Sequence, residues 1–134
     1  MAFKDADEVR RYIGGVFQAG FDDPELGPKM VATGIVVKFE FTDPDTDLVI
    51  DMATQQIGDG AGMAAPNATM KMTADLGSAY WQGKVNLPLS MARGKIKVDG
   101  NVASLLKIAP LGKKLFPKYV AALEADGRQD LVVA

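Results

Sequence analysis

The chain contains neither cysteine nor histidine. Without cysteine there is no disulfide framework, thiolate zinc site or sulfur nucleophile, and the composition suits a reducing compartment, with the cytoplasm as the expected location. Without histidine the commonest general base near neutral pH and the commonest metal ligand are missing, which excludes Ser-His-Asp and Cys-His catalytic designs. Long apolar runs are lacking too: no stretch nears the ~18 residues a spanning helix needs. The first residues, Met-Ala-Phe-Lys-Asp-Ala-Asp-Glu, do not pair a basic flank with an apolar run, so neither export by that route nor a membrane span is expected. Leu131-Val132-Val133-Ala134 is not a Ser-Lys-Leu address, and no organelle address is expected. Internal repeats and linkers are absent.

What remains is ordinary globular material. The 134 residues are 48% hydrophobic and 24% charged, consistent with one folded domain over 1–134. Net charge is −2 but unevenly spread. From Gln82 to Lys118 the cations Lys84, Arg93, Lys95, Lys97, Lys107, Lys113, Lys114 and Lys118 face the single acid Asp99, giving +7 there and −9 elsewhere. Such asymmetry can mark a surface that meets anionic lipid head groups or an acidic partner, though charge runs are more often solvated faces of a strand and helices.

Val9, Tyr12, Ile13, Val16 and Phe17 recur at helical spacing, with Asp5 and Glu8 resembling a capping box and Gly20 ending the run. Gly14 and Gly15 inside it either mark close backbone contact with a sheet or ligand or are simply tolerated. Asp22-Asp23-Pro24 breaks the chain, and a weak helical turn spans Leu26 to Val31. Ile35, Val37, Phe39 and Phe41 then alternate with their neighbours, predicting a strand with one buried face. Thr42 to Thr46 reads as a turn, Asp47 to Gln56 as a second strand, and Gly58-Asp59-Gly60 as a hairpin turn into a short third strand at Gly60 to Ala65. A strand at Ala68 to Thr73 precedes short helices at Asp75 to Gln82 and Leu87 to Arg93, with Asp75 and Asn86 as N-caps. Lys95 to Asp99 is the last strand. Asn101 caps a helix carrying Val102, Leu105, Leu106 and Ala109 that Pro110 ends, and a final helix starts near Pro117.

The carboxylates Asp43, Asp45 and Asp47 alternate as in a calcium loop, but Leu48 and Thr54 stand where such a loop needs Gly and Glu, so a solvated turn is expected and no metal site. Gly58, Gly60 and Gly62 lack the Lys-Ser or Lys-Thr pair and the following helix of a phosphate loop. The basic stretch contains little aromatic interleaving, against a nucleic-acid partner. An enzyme using Glu40 or Asp51 would need groups that a strand points to solvent. Met52, Met63, Met70, Met72 and Met91 fall in or beside the strands and short helices, as ordinary core packing or as the adaptable wall of a cavity.

Three motifs in order carry a resemblance: Thr69-Met70-Lys71-Met72-Thr73-Ala74-Asp75, then Trp81-Gln82-Gly83-Lys84-Val85-Asn86, then Met91 through Gly94-Lys95-Ile96-Lys97-Val98-Asp99-Gly100-Asn101. Together they resemble the sterol-carrier-protein-two lipid-transfer family. The resemblance implies an α+β fold, a five-stranded, mostly antiparallel sheet with helices covering one face. It also implies an apolar tunnel between the layers for a sterol, fatty acid or fatty acyl-CoA, with no cofactor and no catalysis. By position, Trp81, Met91, Leu105, Leu106 and Ile108 are expected near the tunnel, Met70 and Met72 on its floor, and Leu115 and Phe116 at its mouth. Lys107, Lys113, Lys114 and Lys118 are candidates for transient contact with an anionic membrane. The alternative is an interaction module with a closed tunnel, partnered with a lipid-metabolising enzyme.

Overall fold

The computed structural model describes residues 3–133; residues 1, 2 and 134, read above for leader and address signals, lie outside them. The alternating pattern of Val36–Thr42 (β1) builds the centre of a sheet with Thr46–Asp51 (β2), Gln56–Gly58 (β3), Ala68–Thr73 (β4) and Lys97–Gly100 (β5), in the order β3-β2-β1-β4-β5. All neighbours are antiparallel except β1 and β4. Register lines up the apolar side chains in rows: Ile57, Ile50, Val37 and Ala68 in one, Leu48, Phe39, Met70 and Val98 in the next. The opposite face carries the buried Val36 and Val49 beside ion pairs, with Lys38 reaching Glu40 (3.4 Å) and Asp47 (3.8 Å) and Lys71 reaching Asp99 (3.1 Å).

Helices cover the apolar face. The amphipathic N-terminal run is continuous in backbone conformation through Ala6–Val9 (α1), a π-helical turn at Arg10–Gly14 and Gly15–Asp22 (α2). Asp5 caps it by accepting from the Glu8 amide at 3.0 Å. Gly14 is where the helix meets the sheet: a Cβ there would touch Ile57 and Leu48 at 3.4 Å, whereas Gly15 is exposed with nothing within 4 Å. Leu26–Thr33 (α3) follows, then Ala74–Trp81 (α4), Leu87–Ala92 (α5), Val102–Lys113 (α6) and Phe116–Ala125 (α7).

Several boundaries differ from the sequence expectation. The third strand lies at 56–58 and not at 60–65, because Gln55 adopts a left-handed conformation (φ 59°) and turns the chain immediately after Met52-Ala53-Thr54. Thr73, not Asp75, caps α4, its hydroxyl accepting from the Leu76 amide at 3.1 Å. The helix from Val102 does not stop at Pro110 but runs on to Lys113. Pro110 and Leu106 are both exposed, so the carbonyl four residues back can be solvated where its N–H partner is missing.

Two polar networks tie the C-terminal segment down. Arg128 bonds Glu8 (2.6 Å) and Asp130 (3.0 Å) and lies over the Tyr12 ring, while the Tyr12 hydroxyl and Arg11 both donate to Asp126. Deeper, the Gln82 amide donates to Leu131 O (2.9 Å) and Ser78 Oγ (3.1 Å) and accepts from the Val133 amide (2.7 Å), and Ser78 meets the Tyr119 hydroxyl at 2.8 Å. Burial pushes the Tyr119 phenol up to about 12.

Candidate functional site

Between sheet and helices lies a hollow of about 40 Å³. Phe39 and Met70 of the central strands and Met52 beyond β2 form its floor. Phe17 of α2 and Met30 of α3 close one side, Tyr80, Trp81 and Leu87 of α4 and α5 another, and α6 supplies Leu105, Ile108, Ala109, Leu111 and Gly112, with Leu115 just beyond it. Among the described residues no charged one lines it. Among the described residues the side-chain polar groups on the wall belong to Tyr80 and Trp81, and burial raises the Tyr80 phenol above its ordinary value.

An aromatic chain stiffens the wall. Phe17 stands edge-on to Trp81 at 5.0 Å and tilted against Phe39 at 5.8 Å; Tyr80 stands edge-on to Trp81 at 5.3 Å. Phe116 backs both Tyr80 (5.7 Å) and Trp81 (6.0 Å) from outside. Such contacts fix ring orientation and add about 0.5–1.5 kcal/mol each beyond area burial. Methionine and the helix face opposite supply the yielding parts of the lining.

Of the residues expected at the tunnel, Met70, Trp81, Leu105, Ile108 and Leu115 line this hollow. Met72 is buried one row along the sheet, opposite Phe41, and Met91 is half-buried against the core; neither reaches the hollow. Phe116 supports the wall without lining it. Leu106 is 67% exposed on the outer side of α6, because one residue turns about 100° around a helix from Leu105. Met52, one of the methionines that could form a cavity wall, lines it too, while the residues that sequence reasoning missed, Phe17, Met30, Phe39, Tyr80, Leu87, Ala109, Leu111 and Gly112, come mostly from elements distant in the chain or from the end of α6 around Pro110. Lys118, expected at a membrane, is tied to Asp23 at 3.2 Å.

The other candidate groups sit elsewhere. Glu40 is on the outer sheet face beside Lys38, while Asp51 is buried, contrary to expectation, where its carboxylate accepts from the Thr54 amide at 3.4 Å. Among the described residues no three metal-ligating side chains converge, and no helix is long and apolar enough to cross a membrane.

Known proteins share this fold. The chain superposes on the sterol carrier protein domain 2 of Helicoverpa armigera with a TM-score of 0.68 at 19% identity, over 82% of this chain and 89% of that one. Sterol carrier protein 2 from Yarrowia lipolytica, in its apo form, gives 0.66 at 19% identity, over 86% and 98%. Sterol carrier protein 2 from Aedes aegypti, solved in complex with the C16 fatty acid palmitate, gives 0.56 at 24% identity, over 81% and 94%. No curated relative matches in sequence. The sequence profile of the SCP-2 sterol transfer family matches residues 16–113, about three quarters of the chain, and the chain belongs to that family.

Proposed function

We propose that this domain binds a long-chain apolar ligand, a sterol, fatty acid or fatty acyl-CoA, between its sheet and helices, and acts as a lipid carrier or lipid-binding protein without catalysis of its own. The observation that carries the reading is a hollow enclosed by apolar side chains from both layers with no charged group on its wall. A hydrocarbon chain fits that chemistry, while its polar head would have to stay at the rim. The cysteine-free sequence suits a cytoplasmic carrier.

Volume sets the condition. About 40 Å³ holds roughly three water molecules, whereas ligand sites usually measure about 300–1,000 Å³. A guest therefore enters only if the layers part. α6 is the element suited to move: it supplies five of the lining residues, and its outer face carries no further layer, with Leu106 and Val102 exposed. Burying ten methylenes at about 0.8 kcal/mol each supplies ~8 kcal/mol, which is micromolar affinity if opening were free. Each 1.4 kcal/mol spent on opening weakens it about tenfold.

Trp81 is the single tryptophan, is 4% exposed and lines the hollow, so its emission reports occupancy directly. Titrating delipidated protein with a long-chain fatty acid and with a sterol should shift that emission and saturate at one equivalent. An unchanged spectrum, with no lipid recovered by extraction and mass spectrometry, would refute the carrier reading. The small hollow favours, as a second reading, an interaction module with a closed interior serving a lipid-metabolising enzyme. Co-purification with one defined enzyme alongside absent lipid uptake would select it.

A further inference from the structure

We propose that the Tyr80 hydroxyl anchors the oxygen-bearing head of the guest at the mouth of the hollow, with the tail inward, so that the site prefers an acid-headed chain to an alcohol of the same length. This rests on reading the hollow as a lipid site, and adds which end of the guest is recognised and by what.

The first observation is where the wall comes near solvent. The lining residues from the sheet, from α2 and from α3 are all buried, as are Met52, Trp81, Leu105, Gly112 and Leu115. The half-buried ones are Tyr80 near the end of α4, Leu87 at the start of α5, and Ile108, Ala109 and Leu111 of α6. The hollow therefore approaches water where these three helices border it, and not along its floor of Phe39, Met52 and Met70. A chain with one polar end keeps that end at the helical rim and its tail over the floor.

The second observation is a hydroxyl left unsatisfied at that rim. Of the three tyrosines, Tyr12 donates to Asp126 at 3.0 Å and Tyr119 meets Ser78 at 2.8 Å. Among the described residues the Tyr80 hydroxyl has no hydrogen-bond partner, although a tyrosine oxygen taken from water ordinarily finds one. Desolvation with no compensating bond raises its phenol, which therefore stays a protonated donor at neutral pH. Among the described residues no side-chain nitrogen or oxygen that is sealed from water lacks a partner, so a group the size of water still reaches this oxygen. The ring is held from two sides, by Trp81 at 5.3 Å and Phe116 at 5.7 Å, both edge-on. The donor is thus fixed in place, and no protein acceptor competes for it.

The preferred head follows from the donor. A phenol O–H bonds an ionised carboxylate roughly twice as strongly as a neutral oxygen, and the remaining carboxylate lone pairs stay in water at the rim. The apolar wall beyond discriminates little between tails, so selectivity rests on this one contact.

The test compares dodecanoic acid with dodecan-1-ol, titrated into delipidated parent and Tyr80→Phe by calorimetry. The variant should bind the acid about tenfold more weakly and the alcohol about threefold. With carboxyl-labelled dodecanoic acid, the carbon-13 resonance of the bound acid should titrate at higher pH in the variant, by up to about one unit. Tyr80→Phe should melt no lower than the parent, because no protein hydrogen bond is lost. A lower melting point would reveal an internal partner for the hydroxyl and overturn the anchor. Equal losses for both ligands, no loss for either, or a bound carboxyl that titrates alike in both proteins also overturns it, and leaves the carrier reading standing. A parent that takes up neither ligand defeats the carrier reading and the anchor with it.

Discussion

Gly112→Ala should make the protein more stable and a poorer lipid binder at once. Gly112 sits buried in the last turn of α6 on the wall of the hollow, and a Cβ built there would meet the Trp81 ring at 3.6 Å, an ordinary van der Waals contact. Replacing a helical glycine gains about 0.5–1 kcal/mol of backbone entropy, and a buried methyl adds up to about 0.8 kcal/mol. Discounted for the helix end, the sum is about 1 to 1.5 kcal/mol, or roughly 4–6 °C in melting temperature for a chain of this size. The same methyl takes roughly one of the three water-sized positions in the hollow and braces α6 against Trp81, so the open state needed by a guest becomes costlier. Only the methyl contact, at most about 0.8 kcal/mol, bears on opening, because the backbone-entropy gain acts through the unfolded chain; that predicts up to about a fourfold weaker fatty-acid Kd. Gly15→Ala is the control: exposed, helical and with nothing within 4 Å, it should gain stability with unchanged affinity. Calorimetry and the Trp81 titration read both quantities. If Gly112→Ala binds lipid as tightly as the parent while melting higher, the hollow is not where the guest goes.

Gly27→Ala should destabilise by about 1–3 kcal/mol despite its better helix propensity, because its Cβ would collide with the Phe21 carbonyl oxygen, a backbone atom that cannot step aside; an unchanged melting temperature contradicts this. The Glu8 carboxyl is held below its ordinary range, first by the Lys4 amide and then, against partial burial, by Arg128. A depressed folded value gives stability that is present above the unfolded value near 4.3 and lost as pH falls through the folded one. Melting temperature should therefore drop below about pH 4.3, with a shallower fall in Glu8→Gln; the residual slope comes from Asp23 and Asp130, which are lowered in the same direction. Identical slopes would show that the Glu8 contacts do not hold in solution. Gln82→Ala should abolish hydrogen-exchange protection of the Val133 amide while α4 stays protected, since that amide's acceptor is the Gln82 side chain; persistent protection would mean the C-terminal segment is docked by other contacts.

The sheet was legible where one rule governs the side chains. β1 and β4 bury one face more deeply than the other, so Val37, Phe39 and Phe41, like Met70 and Met72, declare themselves by alternation. It was illegible at the turn after Asp51. No glycine or proline marks 52–55; the bend depends on Gln55 accepting a positive φ and on the Asp51 carboxylate holding the Thr54 amide. Pro110 misled in the opposite direction. A proline inside a helix loses one hydrogen bond and crowds the carbonyl four residues back, but here Leu106 and Pro110 both face water that can solvate the freed carbonyl, and α6 runs on to bring Leu111 and Gly112 to the hollow.

The site was harder to read than the fold for a physical reason. Hydrophobic periodicity tells which way a side chain points, and it separates Leu105 from Leu106 only once the helix's phase against the sheet is known. Phe17, Met30 and Met52 join Trp81 through tertiary closure, and no local pattern in their own segments distinguishes them from Ile13 or Leu48, which are packed solid. The difference between lining and core is a matter of about three water volumes left unfilled. A volume of that size depends on how methyl groups from five helices and the sheet fail to interlock, while every residue involved obeys the same rule of burial. That is why apolar character was readable from the amino acids and the hollow itself only from their assembly.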